Sequence, residues 1–128
     1  MKTRKRVLLV EDDPDIRSLV SAFLSEQDHD LTTVENVPAA LEALSTAPPF
    51  DLAILDFWLG SGHAVSIMDA IRSSGRALPV VIISGGNSKM DLEATEAISA
   101  ISGAVVFLQK PFRKAVLLDA VATSLQQS

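Results

Sequence analysis

Four stretches of the sequence set reactive side chains directly after apolar ones. "VLLVEDD" ends on Glu11, Asp12 and Asp13, and "LAILDFWLG" runs four apolar residues into Asp56. "PVVIISGG" closes on Ser84 with Gly85 and Gly86 behind it, and "GAVVFLQKPF" delivers Lys110 and Pro111. A buried carboxylate is costly unless it is paired, hydrogen-bonded or bound to a metal. Asp56 therefore either caps its apolar run or takes part in chemistry. Carboxylates at 11, 12 and 56 would repel one another if brought together, and a hard divalent cation relieves that repulsion. Magnesium takes oxygen ligands, commonly one or two carboxylates, with water and phosphate oxygens completing the shell. An aspartate carboxylate is a nucleophile toward phosphorus. A lysine ammonium and a serine hydroxyl suit the remaining phosphoryl oxygens, because phosphoryl transfer asks mainly for positioning and charge neutralisation.

Such a set works only if one architecture brings it together. Five short apolar runs, Arg6–Val10, Leu31–Val34, Leu52–Leu55, Pro79–Ile83 and Ala104–Leu108, are rich in valine and isoleucine. Several are continuous rather than alternating, which predicts strands buried on both faces of a parallel sheet. Helical periods lie between them. Ile16, Leu19, Val20, Phe23 and Leu24 share one helix face, and Leu41 and Leu44 mark a second helix from about Pro38. Ile67, Met68 and Ile71 give a third, stopped by Gly75. Leu92, Ala97, Ile98 and Ile101 give a fourth, and Leu117, Leu118, Val121 and Leu125 a fifth. Strand–helix alternation of this kind predicts a doubly wound α/β domain with right-handed crossovers. Ligands of such sheets bind outside the carboxyl ends of the strands. Glu11, Asp12, Asp56, Ser84 and Lys110 all follow strand ends, so all belong to one edge.

The bulk properties agree with this. The chain has 128 residues, 48% hydrophobic and 21% charged, enough for a single domain with a packed core. It has no cysteine, which excludes disulfides, thiolate metal sites and thiol nucleophiles. The opening "MKTRKRVLLVEDD" is basic then apolar, but Val7–Val10 is too short for a signal peptide, and no run reaches the length of a membrane span. A cytoplasmic location with no membrane partner is the expectation. Net charge is −5, although Lys2, Arg4, Lys5 and Arg6 crowd the start. An acidic body argues against direct nucleic-acid binding, and the basic start reads as a solvated tail over residues 1–5.

With these residues in this order, the sequence resembles the receiver domain of two-component response regulators, across essentially its whole length. The pieces that carry the resemblance are "VLLVEDDPDIR", "DLAILDFWLG", "PVVIISGG" and "GAVVFLQKPF". It implies a flavodoxin-like fold, a five-stranded parallel sheet in the order 2-1-3-4-5 with five helices, and a single receiver domain over residues 1–128 without an output domain. It implies Asp56 as phosphoacceptor and Mg2+ or Mn2+ as cofactor. Asp12 would be the direct metal ligand, Glu11 would help through water, and the backbone carbonyl of Trp58 would be a further ligand. Ser84 would be the switch hydroxyl, Lys110 its lysine partner, Phe107 the aromatic switch, and Lys110–Pro111 a cis peptide. The implied partners are a sensor histidine kinase or a histidine phosphotransfer protein. The signal would leave through the surface of the fourth helix, fifth strand and fifth helix of a monomer or weak dimer. Such a domain promotes only its own phosphorylation and dephosphorylation.

Plainer readings accompany some residues. Asp13 before Pro14 has the pattern of an N-cap with proline at the first helical position. Phe107 lies within a strand run and suits plain core as well as a switch. His63 reads as a surface residue. Gly60 and Ala64 stand where the family usually has proline and glycine, so the loop after Asp56 is expected to differ in shape. Two alternative functions use the same residues. One is a degenerate receiver that binds without phosphorylation. The other is an aspartate-nucleophile phosphatase, in which the nucleophile normally ends the first strand rather than the third. The last segment, "FRKAVLLDAVATSLQQS", lacks the basic pattern of a lead into a DNA-binding domain, leaving a stand-alone receiver or one cut from a larger protein.

Overall fold

A computed structural model supplies the structure. It describes residues 4–27, 29–46, 49–59, 62–63, 65–75, 77–84 and 105–126, with residues 58, 59, 62, 63 and 84 described by backbone alone. In chain order the elements are β1 (Arg6–Val10), α1 (Pro14–Leu24) with a 3-10 turn (Ser25–Gln27), β2 (Asp30–Val34) and α2 (Val37–Ser45). Then come β3 (Leu52–Asp56), a short pair β4 (Trp58–Leu59) and β5 (Gly62–His63), α3 (Val65–Ser73), β6 (Val80–Ser84), β7 (Val105–Gln109) and α4 (Lys114–Gln126). The expected helix around Leu92–Ile101 lies outside the described residues.

Five strands form one parallel sheet in the order β2-β1-β3-β6-β7, which is 2-1-3-4-5 when the small hairpin is set aside. This is the doubly wound, flavodoxin-like arrangement. Side chains of successive strand residues face opposite ways, and both faces are covered. Leu8, Val10, Ala53, Leu55 and Ile82 pack with Ile67, Met68 and Ile71 of α3 and Ala40 of α2. Val7, Leu9, Leu52, Ile54, Val81 and Ile83 pack with Val20 and Leu24 of α1 and Leu117 and Val121 of α4. Two apolar layers explain why the central strands read as unbroken apolar runs.

The edge strands depart from that expectation. β2 is exposed or half-buried at every position. In β7 only Leu108 is buried, and Phe107 is 48% exposed, so the reading of Phe107 as plain core is corrected. The loop expected after Asp56 contains the antiparallel pair β4–β5, with Trp58 opposite His63 and Leu59 opposite Gly62.

Local signals fix the helix ends. Asp13 caps α1, its Oδ1 accepting from the backbone N–H groups of Asp15 and Ile16, with Pro14 following at the first helical position. Asn36 caps α2 through Ala39 N–H. Gly75 follows α3 with φ of 75°, a conformation that glycine adopts without steric cost.

The basic start is less of a free tail than its composition suggests. Arg4 donates to the carbonyl of His29. Arg6, inside β1, lies over the Phe50 ring at 4.5 Å and pairs with Asp30, while its backbone N–H is held by Asp51. These contacts pin the end of the sheet opposite the acidic edge. No described helix is long and apolar enough to cross a membrane.

Candidate functional site at the carboxyl edge of the sheet

Strand register assembles the site. Val10 pairs with Leu55, so Glu11 leaves β1 beside Asp56 at the end of β3. Asp56 pairs with Ile83, and Ser84 with Gln109, so Ser84 and Lys110 reach the same edge from β6 and β7. The backbone continues this pairing past the strands: Glu11 N–H donates to Val34 and Phe57 N–H to Ile83.

Three of the expected residues converge. One carboxylate oxygen from each of Glu11, Asp12 and Asp56 lies within 4.8 Å of the others. Glu11 is fully buried and Asp56 nearly so, whereas Asp12 is half-buried at the mouth. The Lys110 ammonium stands 3.4 Å from Asp56 Oδ2 and 3.5 Å from Glu11 Oε2. Glu11 Oε1 accepts the Asp13 N–H at 3.1 Å, while its buried Oε2 has no hydrogen bond among the described residues. The Lys110–Pro111 peptide bond is cis. Trp58 and Ser84 stand at the edge by backbone, and their side chains lie outside what is described.

The electrostatics follow from burial. The Glu11 carboxyl is pushed up to about 8, first by its removal from water and then by the hydrogen bond and negative charge of the adjoining Asp56 carboxylate, with the Asp13 N–H and Lys110 opposing the rise. Near neutrality Glu11 therefore holds a proton that relieves part of the repulsion among the three acids. A hard cation would take its place. Three convergent carboxylate oxygens make a donor set of the kind magnesium accepts, and Glu11 Oε2, buried with no hydrogen bond among the described residues, has lone pairs to offer.

Arg17 belongs to this edge and was not singled out from the sequence. Its Nη1 donates to the backbone carbonyls of Glu11 at 2.9 Å and Asp12 at 3.2 Å. The available signal was its position. A cation in the first turn of a helix opposes the helix dipole and needs a compensating contact.

Comparison with known proteins agrees with the geometry. The sequence profile of the response regulator receiver domain matches residues 7–122, and the chain belongs to that family. The chain is 35% identical over 124 residues to the response regulator protein PilR of Pseudomonas aeruginosa, covering 97% of this chain and 27% of that protein. It is 34% identical over 110 residues to the nitrogen assimilation regulatory protein NtrX of Azorhizobium caulinodans, covering 83% of this chain and 23% of that one. The chain thus spans about a quarter of the length of these curated relatives. Among solved structures, the receiver domain of NtrX from Brucella abortus superposes with a TM-score of 0.79 at 34% identity, covering 95% of this chain and 99% of that one. The receiver domain of the sensor histidine kinase PA1611 from Pseudomonas aeruginosa PAO1, solved with magnesium in its active-site cleft, shares the fold with a TM-score of 0.80 at 24% identity, covering 97% and 99%.

Proposed function

We propose that this chain is a phosphorelay receiver that takes a phosphoryl group on Asp56 from a histidine kinase or histidine phosphotransfer protein. The observation that carries the reading is the meeting of three carboxylates within 4.8 Å with the Lys110 ammonium 3.4 Å from Asp56 Oδ2. Glu11, Asp12 and Asp56, with the Trp58 carbonyl, would hold the magnesium ion, which supplies charge neutralisation around the phosphoryl oxygens. An Asp56 oxygen attacks phosphorus while the bond to the donor's imidazole nitrogen breaks. Lys110 then follows the new charge from the carboxylate to the phosphoryl group. Ser84 turns toward that group, and Phe107 on β7 carries the change to the outer face. The half exposure of Phe107 leaves its ring room to move.

The donor approaches over α1. An apolar hollow lined by Ile16, Leu19, Pro111 and Phe112 shares Lys110 with the site, and Leu19 is 41% exposed. A helix bearing the phosphohistidine would lie there and bring phosphorus over Asp56. A cytoplasmic location fits this chemistry, as does a signalling role limited to the domain's own phosphorylation. The position of Asp56 at the end of β3, rather than of the first strand, favours the receiver over an aspartate phosphatase.

The test is direct. With magnesium and acetyl phosphate the chain should gain one acid-stable, base-labile phosphoryl group, read by intact mass. Asp56→Asn should gain none. Uptake at the wild-type rate by Asp56→Asn overturns the assignment.

A further inference from the structure

We propose that Arg17 is a positioning residue for the metal-binding acids, acting through their backbone; this rests on the reading of Glu11, Asp12 and Asp56 as magnesium ligands. Glu11 and Asp12 are neighbours in sequence, and in an extended segment neighbouring side chains diverge. Their carboxylates converge with Asp56 only because the backbone turns between the end of β1 and the start of α1. That turn needs a fixed shape, and besides the Asp13 N–H donated to Glu11 Oε1 three contacts supply it. Glu11 N–H is anchored to Val34, and the Asp13 side chain caps α1. The third contact is Arg17, one turn into α1, whose Nη1 binds the carbonyls of Glu11 and Asp12 at 2.9 and 3.2 Å.

The chemistry of this grip differs from that of Lys110. Lys110 approaches carboxylate oxygens and so competes with any cation entering the cluster. Arg17 takes carbonyl oxygens, so its charge stabilises the turn while the carboxylate oxygens stay available. The guanidinium stays charged at any physiological pH, and its contacts need no proton exchange when metal enters. Glu35, one residue past β2, lies 3.7 Å from the same Nη1, and its side chain is largely exposed. Exposed pairs of this kind contribute little, so Glu35 steers the guanidinium while the two carbonyls hold it.

Magnesium titration calorimetry, paired with thermal melts in chelator, tests this role on Arg17→Ala, Arg17→Lys and Glu35→Gln. Loss of a group that orients metal ligands typically weakens binding about tenfold or more. Arg17→Ala should show that loss while still melting cooperatively without metal. Arg17→Lys keeps the charge with a shorter overall reach and without the planar fork, and should fall between wild type and alanine; it carries the test if Arg17→Ala does not fold. Glu35→Gln should bind as wild type does. Wild-type affinity in a folded Arg17→Ala or Arg17→Lys protein overturns the role of Arg17 alone, as does a Glu35→Gln loss equal to that of alanine. A wild-type chain that takes up no magnesium overturns the metal-site reading together with it.

Discussion

The Lys110 ammonium and Asp56 Oδ2 stand 3.4 Å apart across 54 positions of sequence. Lys110 lies against both buried carboxylates, and it occupies space that a divalent ion would share. Removing it leaves Glu11 and Asp56 facing each other with less compensation. Loss of a partner to a charged group costs about 1–3 kcal/mol. Lys110→Ala should therefore melt several degrees lower in chelator. It should still bind magnesium, since none of the expected ligands is lost, and saturating magnesium should recover much of the difference. Thermal melts with and without magnesium check both statements. A variant that melts as wild type does in chelator would show that the ammonium contributes nothing to the metal-free fold.

Glu11 predicts a pH dependence with a defined sign. Its folded pKa is raised to about 8 from an ordinary 4.5, mainly by burial. Between those values the folded protein holds a proton that the unfolded chain has released. Stability without metal therefore falls as pH rises through that window, and this contribution is full only below it. Melting temperature in chelator should decline from pH 5 to pH 8.5, and Glu11→Gln should decline less. A magnesium ion held by Glu11 would displace the same proton. Its affinity should rise with pH up to about 8, and calorimetry in buffers of different ionisation enthalpy should register proton release below that pH.

The Asp12 carboxylate stands beside those of two other acids. Asp12→Asn should raise the metal-free melting temperature, by an amount equivalent to about 1 kcal/mol, while weakening magnesium binding. Because Glu11 is largely protonated near neutrality, the gain should be larger at pH 9 than at pH 6.5. Melts at the two pH values decide this; a lower melting temperature at both would mean that the Asp12 side chain holds the turn together.

Ser124 offers a control away from the site. It is fully buried on α4, and its hydroxyl has no hydrogen-bond partner among the described residues. Ser124→Ala removes the unsatisfied group and improves helix propensity, so it should stabilise the fold by about 0.5–1 kcal/mol. Urea unfolding should show a higher midpoint, with magnesium affinity unchanged.

The sequence by itself determined the layers and the edge. Continuous apolar strands need two covered faces, and the helical periods between them supply the cover. Asp13 before Pro14, and Gly75 after the third period, marked helix ends through local backbone chemistry that needs no distant partner. The acids, the Ser84 position and Lys110 were legible because each follows a strand that its own apolar run defines.

Only the tertiary structure decided what those groups do to one another. Register set Glu11 beside Asp56 and brought Lys110 against both, contacts between segments 45 to 99 positions apart in the chain. The raised pKa of Glu11 follows from burial that composition does not reveal. The exposure of β2 and of Phe107 depends on their places at the two edges of the sheet, since an edge strand has a neighbour on one side only. Arg17 looked like one more charge on a helix. Its grip on two carbonyls arises because α1 folds back over the turn that precedes it, and spacing along the chain does not encode that distance.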